Sequence, residues 1–194
     1  MTVNVREAAW LLGLVPLGWL AVKAGLWGLG ANPIEFIIRF LGDWALRFLL
    51  LCLCVTPLLR WLPRLAPARR TLGLLCFCFA ASHVLLYLGL ERFFDLEELW
   101  KDIVKRRYIT VGMLVFLMLV PLAVTSTNRW VKRLGYPVWK KLHRLVWPIG
   151  FLACLHFAMM VKFYAYAEPL FYAGFLLVLL GMRFRAKDRI MPGH

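Results

Sequence analysis

Acidic side chains are scarce in this sequence: Asp and Glu number 10 against 24 Lys and Arg, for a formal net charge of +14. Histidine is rarer still, at four residues. The five cysteines, Cys52, Cys54, Cys76, Cys78 and Cys154, all lie inside apolar runs. None has the spacing of an extracellular framework, so no structural disulfide is expected. The two C-x-C pairs read as small membrane-buried apolar residues, with soft-metal ligation as the minority alternative. Also missing are an internal repeat, a linker long enough to separate a second domain, and a small-residue cleavage site after the first apolar run. The chain therefore reads as one domain over 1–194, with its first apolar run retained as an anchor.

Apolar surface is what the chain has in excess. Apolar residues make up 62% of it and the mean hydropathy is +0.73, against roughly 45–50% apolar in a soluble domain. They are grouped in runs long enough to cross a hydrocarbon core of ~30 Å. Six runs stand out, approximately 9–28, 40–59, 71–90, 108–125, 143–162 and 168–184. Backbone groups in lipid must be satisfied within each segment, which makes these runs helices. The expected fold is all-α, a polytopic six-transmembrane-helix bundle.

The basic residues sit in short stretches between the runs, a pattern of membrane topology that argues against a nucleic-acid partner. Fifteen of them fall on one side: Arg6, Arg60, Arg64, Arg69, Arg70, Arg129, Lys132, Arg133, Lys140, Lys141, Arg144, Arg183, Arg185, Lys187 and Arg189. Only Glu7 and Asp188 accompany them. By the positive-inside rule this side is cytoplasmic, so both termini are expected inside and the protein in a bacterial inner membrane. The opposite side holds Glu91, Asp95, Glu97, Glu98, Asp102 and Glu168. Its largest feature, Glu91 to Arg107, is amphipathic and reads either as a short interfacial helix or as an ordinary loop. Asp43 and Arg47, four apart, are expected to neutralise each other on one helix face.

Three histidines lie at informative depths, since polar side chains in a membrane are costly and usually functional. His83 is mid-way along the third run and His156 well inside the fifth, each ~18–20 Å from the inner end at 1.5 Å per residue. Two imidazoles at one level on neighbouring helices suit a low-spin b-type haem that shuttles single electrons. His143 lies 13 residues before His156, ~20 Å lower and about 140° round on a straight helix. It could serve a second haem, although no partner histidine lies near the inner end of the third run. Arg69 and Arg70 are there instead, suited to haem propionates or a flavin phosphate. His194 is terminal and is set aside.

The segments NPIEFIIRFLGDWALRFLLLCLCVTPLLR, ARRTLGLLCFCFAASHVLLYLGLE, DIVKRRYITVGM, PLAVTSTNRWVKRLG, LHRLV, HFAMMVK and EPLFYA together make the chain resemble a known family. It is similar to the haem-binding membrane subunits of bacterial periplasmic methionine sulfoxide reductase systems, within the ferric-reductase-like transmembrane superfamily. The likeness runs from about Asn32 to Arg185. It implies a membrane electron relay drawing on the quinone pool or a cytoplasmic flavin reductase. It implies a periplasmic molybdopterin partner, MsrP-like, that reduces methionine sulfoxide in oxidised envelope proteins. It implies b haem held by His83 and His156, FMN as a further cofactor, and His143 at a second haem or at the inner site where electrons arrive. One departure is visible: where the family reads K-R-P-Y-I-T, this chain has Arg107 in place of the proline.

The chain shows no G-x-G-x-x-G fingerprint of the kind that opens a nicotinamide-binding unit, so any hydride donor is expected to act through another protein or through quinol. A stand-alone ferric reductase or quinol-oxidising cytochrome is the nearest competing reading. A transporter built around buried histidines is a more distant one, since the broken helices and inverted repeats of transporters are not evident. An assembly or scaffold subunit without redox turnover is a further possibility.

Overall fold

The computed structural model describes residues 4–162 and 165–190, the last seven of these by backbone alone. His194 and the side chains of Arg185, Lys187, Asp188 and Arg189 lie outside the described residues. Each of the six expected segments is helical: α1 (Val5–Leu26), α2 (Pro33–Leu58), α3 (Ala66–Leu86), α5 (Arg107–Val124), α8 (Val146–Met160) and α9 (Ala167–Ile190). Between them come three shorter helices, α4 (Leu96–Lys105), α6 (Asn128–Leu134) and α7 (Tyr136–Leu142). No strand occurs among the described residues. The Glu91–Arg107 stretch is thus a helix rather than a plain loop.

Helix ends follow capping chemistry, and this is why they differ from the apolar runs. Asn4 and Glu7 form a capping box that starts α1 before its first long apolar stretch. Asn32 caps α2 with Pro33 in the first turn, so this helix begins well before the apolar run and takes in Glu35 and Arg39. The fifth apolar run also begins early: α7 passes into α8 through a 3₁₀ turn at His143–Leu145. The α3 helix runs on into a π turn at Tyr87–Glu91.

Four stretches have the length and composition to cross a membrane: Val5–Leu26, Pro63–Glu91, Arg107–Val124 and Tyr136–Met160. Their outward faces are apolar, with Leu14, Leu85, Leu117 and Leu155 between 49% and 61% exposed. The core lies between α2, α3, α5, α8 and α9, around Phe48, Ile149 and Leu176, which are fully buried. The α1 helix packs on α3 through a stripe of small residues, Ala9, Gly13 and Pro16, as membrane helices do when backbones approach closely.

Arg107 occupies the first helical position of α5, where a backbone N–H has no helical partner and proline is favoured. Arg106 before it is extended, at φ −109° and ψ 93°, which suits a residue preceding proline. The family's proline is therefore compatible with this backbone. Arg107→Pro is expected to stabilise the chain by about 0.5 kcal/mol, visible as a higher melting temperature in detergent. A lower one would show that the start of α5 is not as described.

Candidate functional site

His83 on α3 and His156 on α8 face each other with ring centroids 6.4 Å apart and ring planes at 81°. Each is fixed in the same way. His83 Nδ1 lies 2.7 Å from the Ile38 carbonyl on α2, and His156 Nδ1 lies 2.8 Å from the Tyr108 carbonyl on α5. A carbonyl oxygen only accepts, so Nδ1 carries the proton in both rings and Nε2 keeps the lone pair.

The accepting carbonyls share a pattern. Ile38 is four residues before Gly42, and Tyr108 four before Gly112, so each carbonyl already takes a helical bond from a glycine N–H. Its second lone pair is free for the imidazole. The glycine leaves the ring room to reach it. A Cβ at Gly42 would stand 3.1 Å from His83 Nδ1, and one at Gly112 would stand 2.7 Å from His156 Cε1.

Between the rings and below them lies a cavity of about 370 Å³. Gly42, Ala45, Ala80, Gly112 and Ala153 keep its walls thin, and Leu46, Leu49, Phe116 and Leu119 make it apolar. A metal–imidazole bond is about 2 Å long, so two rings on opposite sides of one iron have centroids about 6 Å apart. The separation, the two free Nε2 atoms and the small-residue walls fit a flat, apolar macrocycle ligated by both histidines. Among the described residues no group of three or more His, Cys, Asp or Glu side chains converges, and the five cysteines are free thiols.

Polar groups gather at the α4 end of the cavity. Arg47 does not pair within its own helix. Its Nε donates to the Tyr172 hydroxyl at 2.9 Å and its Nη2 meets Glu168 Oε1 at 3.1 Å, both on α9. Asp43 stays close enough to feel the Arg47 charge and lines the cavity with Arg39 and Glu168. Asp102, 8% exposed, is a second junction. It pairs with Arg92 at 2.6 Å and Arg106 at 3.1 Å, and accepts from the Tyr87 hydroxyl at 2.7 Å. Arg106 Nη1 in turn donates to the Tyr108 hydroxyl at 3.1 Å. That phenol, and then Asp102, hold the Arg106 guanidinium above its usual pKa. Both Tyr87 and Tyr108 line the cavity, so this cluster ties α3, α4 and α5 together over the two rings.

His143, Arg69 and Arg70 are not among the residues that line this cavity. His143 stacks on Trp139 at 4.0 Å, with Nδ1 3.1 Å from the Trp139 carbonyl. Its Nε2 is buried without a well-formed hydrogen bond, with the Leu122 carbonyl near the ring. The 3₁₀ turn that carries His143 advances 120° per residue, which alters the phase of a straight helix between it and His156. Arg70 donates to Asn128 Oδ1 at 2.9 Å. Arg69 stands with Arg144 within electrostatic reach of Arg183, whose guanidinium lies over the Trp147 ring at 5.1 Å. The Trp147 indole N–H is buried without a partner. None of Arg69, Arg144 and Arg183 makes an ion pair among the described residues.

The sequence reading brought His83 and His156 to one level. It missed Gly42 and Gly112, whose only signal was a glycine within an apolar helical run, and it missed the Arg144 and Arg183 partners of Arg69. Asp102 was placed only among the acids of one side, whereas it is the junction of the Tyr87 and Arg106 contacts.

Residues 41–155 match the family model described as ferric reductase like transmembrane component. The chain is 49% identical to the protein-methionine-sulfoxide reductase heme-binding subunit MsrQ of Caulobacter vibrioides, covering 91% of this chain and 84% of that one. It is 49% identical to the protein of the same name from Rhodospirillum rubrum, over 92% and 86% of the two chains. To that from Herminiimonas arsenicoxydans it is 44% identical, over 97% and 91%.

The glycine seats make a graded test. Gly112→Ala forces the His156 ring off its carbonyl, and one lost buried hydrogen bond, at about 1.4 kcal/mol, corresponds to roughly tenfold weaker haem retention. Gly42→Ala needs a shift of only tenths of an ångström and is expected to retain haem nearer the parent level. Haem per chain, quantified as pyridine haemochrome after purification and dilution, gives the ranking. Equal retention by both variants and the parent would show that neither glycine sets the ring position.

Proposed function

This chain belongs to the ferric-reductase-like transmembrane family, in its MsrQ branch, and on that footing we propose that it carries electrons across the inner membrane from a cytoplasmic-side donor to a periplasmic methionine sulfoxide reductase. It is a multi-pass protein of the bacterial inner membrane. The observation that carries the reading is the opposed pair of imidazoles, His83 and His156, 6.4 Å apart with both Nδ1 atoms committed to backbone carbonyls. The relatives' printed names give a heme-binding subunit of a reductase system, and the cavity is shaped for such a group.

A bound b haem would supply reversible one-electron chemistry at its iron. The protein's own contributions are specific. His83 and His156 present Nε2 as neutral ligands, and the Ile38 and Tyr108 carbonyls fix tautomer and ring orientation, as second-shell acceptors do at metal-ligating histidines. Leu46, Leu49, Phe116 and Leu119 keep water from the site. Arg39 lines the cavity, where a carboxylate group of the cofactor would find a cationic partner.

The proposed topology has six spans, α1, α2, α3, α5, α8 and α9, with both termini cytoplasmic. Its support is the sum of basic residues on the side of Arg69, Arg129 and Lys140. His143, Arg69 and Arg70 then mark the inner site where electrons arrive, from quinol or a cytoplasmic flavin reductase. Arg69, Arg144 and Arg183, without an ion pair among the described residues, would suit the propionates of a second haem or the phosphate of FMN. On the other face, α4 and the adjoining helix ends are the proposed dock for the MsrP-like molybdopterin partner. Glu97 and Glu98 have exposed side chains, although they pair with Lys101 and Arg92, whereas Asp102 is held inside.

Reduced-minus-oxidised visible spectra of the parent and of His83→Ala, His143→Ala and His156→Ala test the assignment. Bands of b type that collapse on losing His83 or His156 support it, and the His143 variant separates one haem from two. A parent chain without haem after haem-replete expression would overturn the electron-transfer reading. For the dock, the double variant Glu97→Ala, Glu98→Ala is expected to slow oxidation of the reduced chain by a periplasmic partner several-fold, more at low salt than at high. An unchanged rate would remove that surface from the interface.

A further inference from the structure

The side chains of α4 fall into three sectors. At about 100° per residue, Leu99, Asp102 and Ile103 share the side that faces the bundle, where Asp102 is 8% exposed. Next round the helix come Leu96, Trp100 and Val104, at 77%, 67% and 64% exposed. Glu97, Glu98, Lys101 and Lys105 fill the remaining side and are exposed as well. A helix lying in water has two kinds of face, one inward and apolar, one outward and polar. A helix lying on a membrane beside a bundle needs three: protein, lipid and water. The apolar sector here sits between the protein side and the charged side, as that arrangement requires.

The rotation of α4 is fixed, so the sectors are not free to turn. Asp102 is tied to Arg92, Arg106 and Tyr87 on the protein side, and Asp95 caps the first turn through Glu97 N–H and Glu98 N–H. The turn before α4 adds a second observation. Phe93 and Phe94 both take positive φ, 48° and 57°, a region that bulky side chains seldom adopt. The turn is closed by Phe94 N–H to the Leu88 carbonyl and Asp95 N–H to the Arg92 carbonyl, both at 2.8 Å. Its result is to place two aromatic rings outside, at 81% and 66% exposed, rather than in the core. These rings continue the apolar outer surface of the neighbouring helices, where Leu85, Leu90 and Leu114 are 59%, 44% and 47% exposed.

We propose that α4 and the Phe93–Phe94 turn are seated in the lipid interface, with Phe93, Phe94, Leu96, Trp100 and Val104 among headgroups and upper acyl chains. Lipid is favoured over a protein partner because the sector is continuous with surfaces that an embedded bundle must show to acyl chains. The charged sector beside it, Glu97 to Lys105, is left to water and to any soluble partner. The inference rests on membrane embedding and on the geometry of α4, and it stands whether or not the electron-transfer reading does.

Photo-crosslinking in native membranes tests it on the full chain. p-Benzoylphenylalanine replaces Trp100 or Val104 in the apolar sector, Glu97 or Lys101 in the charged one, and Leu117 on α5 as a lipid-facing reference, 61% exposed. After irradiation, intact-mass spectrometry reads phospholipid adducts on the purified chain. Positions 100 and 104 are expected to give adducts within about threefold of position 117, and positions 97 and 101 at least several-fold fewer. Protein adducts predominating at 100 and 104 would overturn the proposal in favour of a docked partner. Equal lipid labelling of both sectors, or none at 100 and 104, would overturn it too, whatever position 117 gives.

Discussion

An imidazole N–H inside a membrane has no water to turn to, and a helical backbone has few acceptors to offer it. The solution here is a carbonyl that already serves its own helix and accepts a second bond from a neighbouring one. Ile38 does this for His83 and Tyr108 does it for His156. The approach requires that the residue one turn on, which would otherwise shield the carbonyl, has no side chain. Gly42 and Gly112 meet that requirement. Two helix pairs, α2 with α3 and α5 with α8, are thereby held at the spacing that sets the two rings opposite each other, 6.4 Å apart. The ring tautomers, the free Nε2 atoms and the thin cavity walls all follow from those two contacts.

Helix α2 reconciles two opposed demands. Its C-terminal half supplies much of the core, with Phe48, Leu49, Leu50 and Val55 buried. Its N-terminal half carries Glu35, Arg39, Asp43 and Arg47. Three of these charges are directly paired: Arg39 meets Glu35 at 2.6 Å, and Arg47 crosses to Glu168 and Tyr172 on α9. The cross-helix pair does what an i,i+4 pair on α2 would not, since it also ties α9 to the bundle beside the cavity. Breaking one partner would leave a partly buried charge uncompensated, which costs far more than a surface pair contributes.

Much of this was legible in the sequence, for physical reasons that also mark where legibility stops. Six apolar runs predicted helices at the positions where helices occur, because lipid permits few alternatives. Their ends were misjudged by several residues, since hydropathy records where a chain is greasy and Asn32 or Asn4 records where hydrogen bonding begins. The depth match of His83 and His156 followed from rise per residue alone. The glycine seats did not follow, because a glycine in an apolar run reads equally as a packing residue. The Asp102 cluster was legible only in part: Arg106 is four residues on, whereas Arg92 and Tyr87 lie in the turns before α4 and only the fold brings them near. Asp43 and Arg47 show the same limit, since four-residue spacing cannot reveal a better partner on α9.

The two ends of the chain are built for different chemistry. Toward α4, two imidazoles oppose each other, neutral and oriented, in an apolar cavity. At the other end His143 has no facing imidazole among the described residues, and Arg69, Arg144 and Arg183 make no ion pair among those residues. Two neutral nitrogens across a gap select a metal ion between them. A lone imidazole among guanidiniums selects an anion, with the unpartnered Trp147 N–H as a further donor. A buried donor left unsatisfied is costly, and in native proteins it marks a place where water or a ligand belongs. The His143 end is therefore not a degraded copy of the histidine pair: among the described residues it groups cations and an indole donor where the other end has a second imidazole.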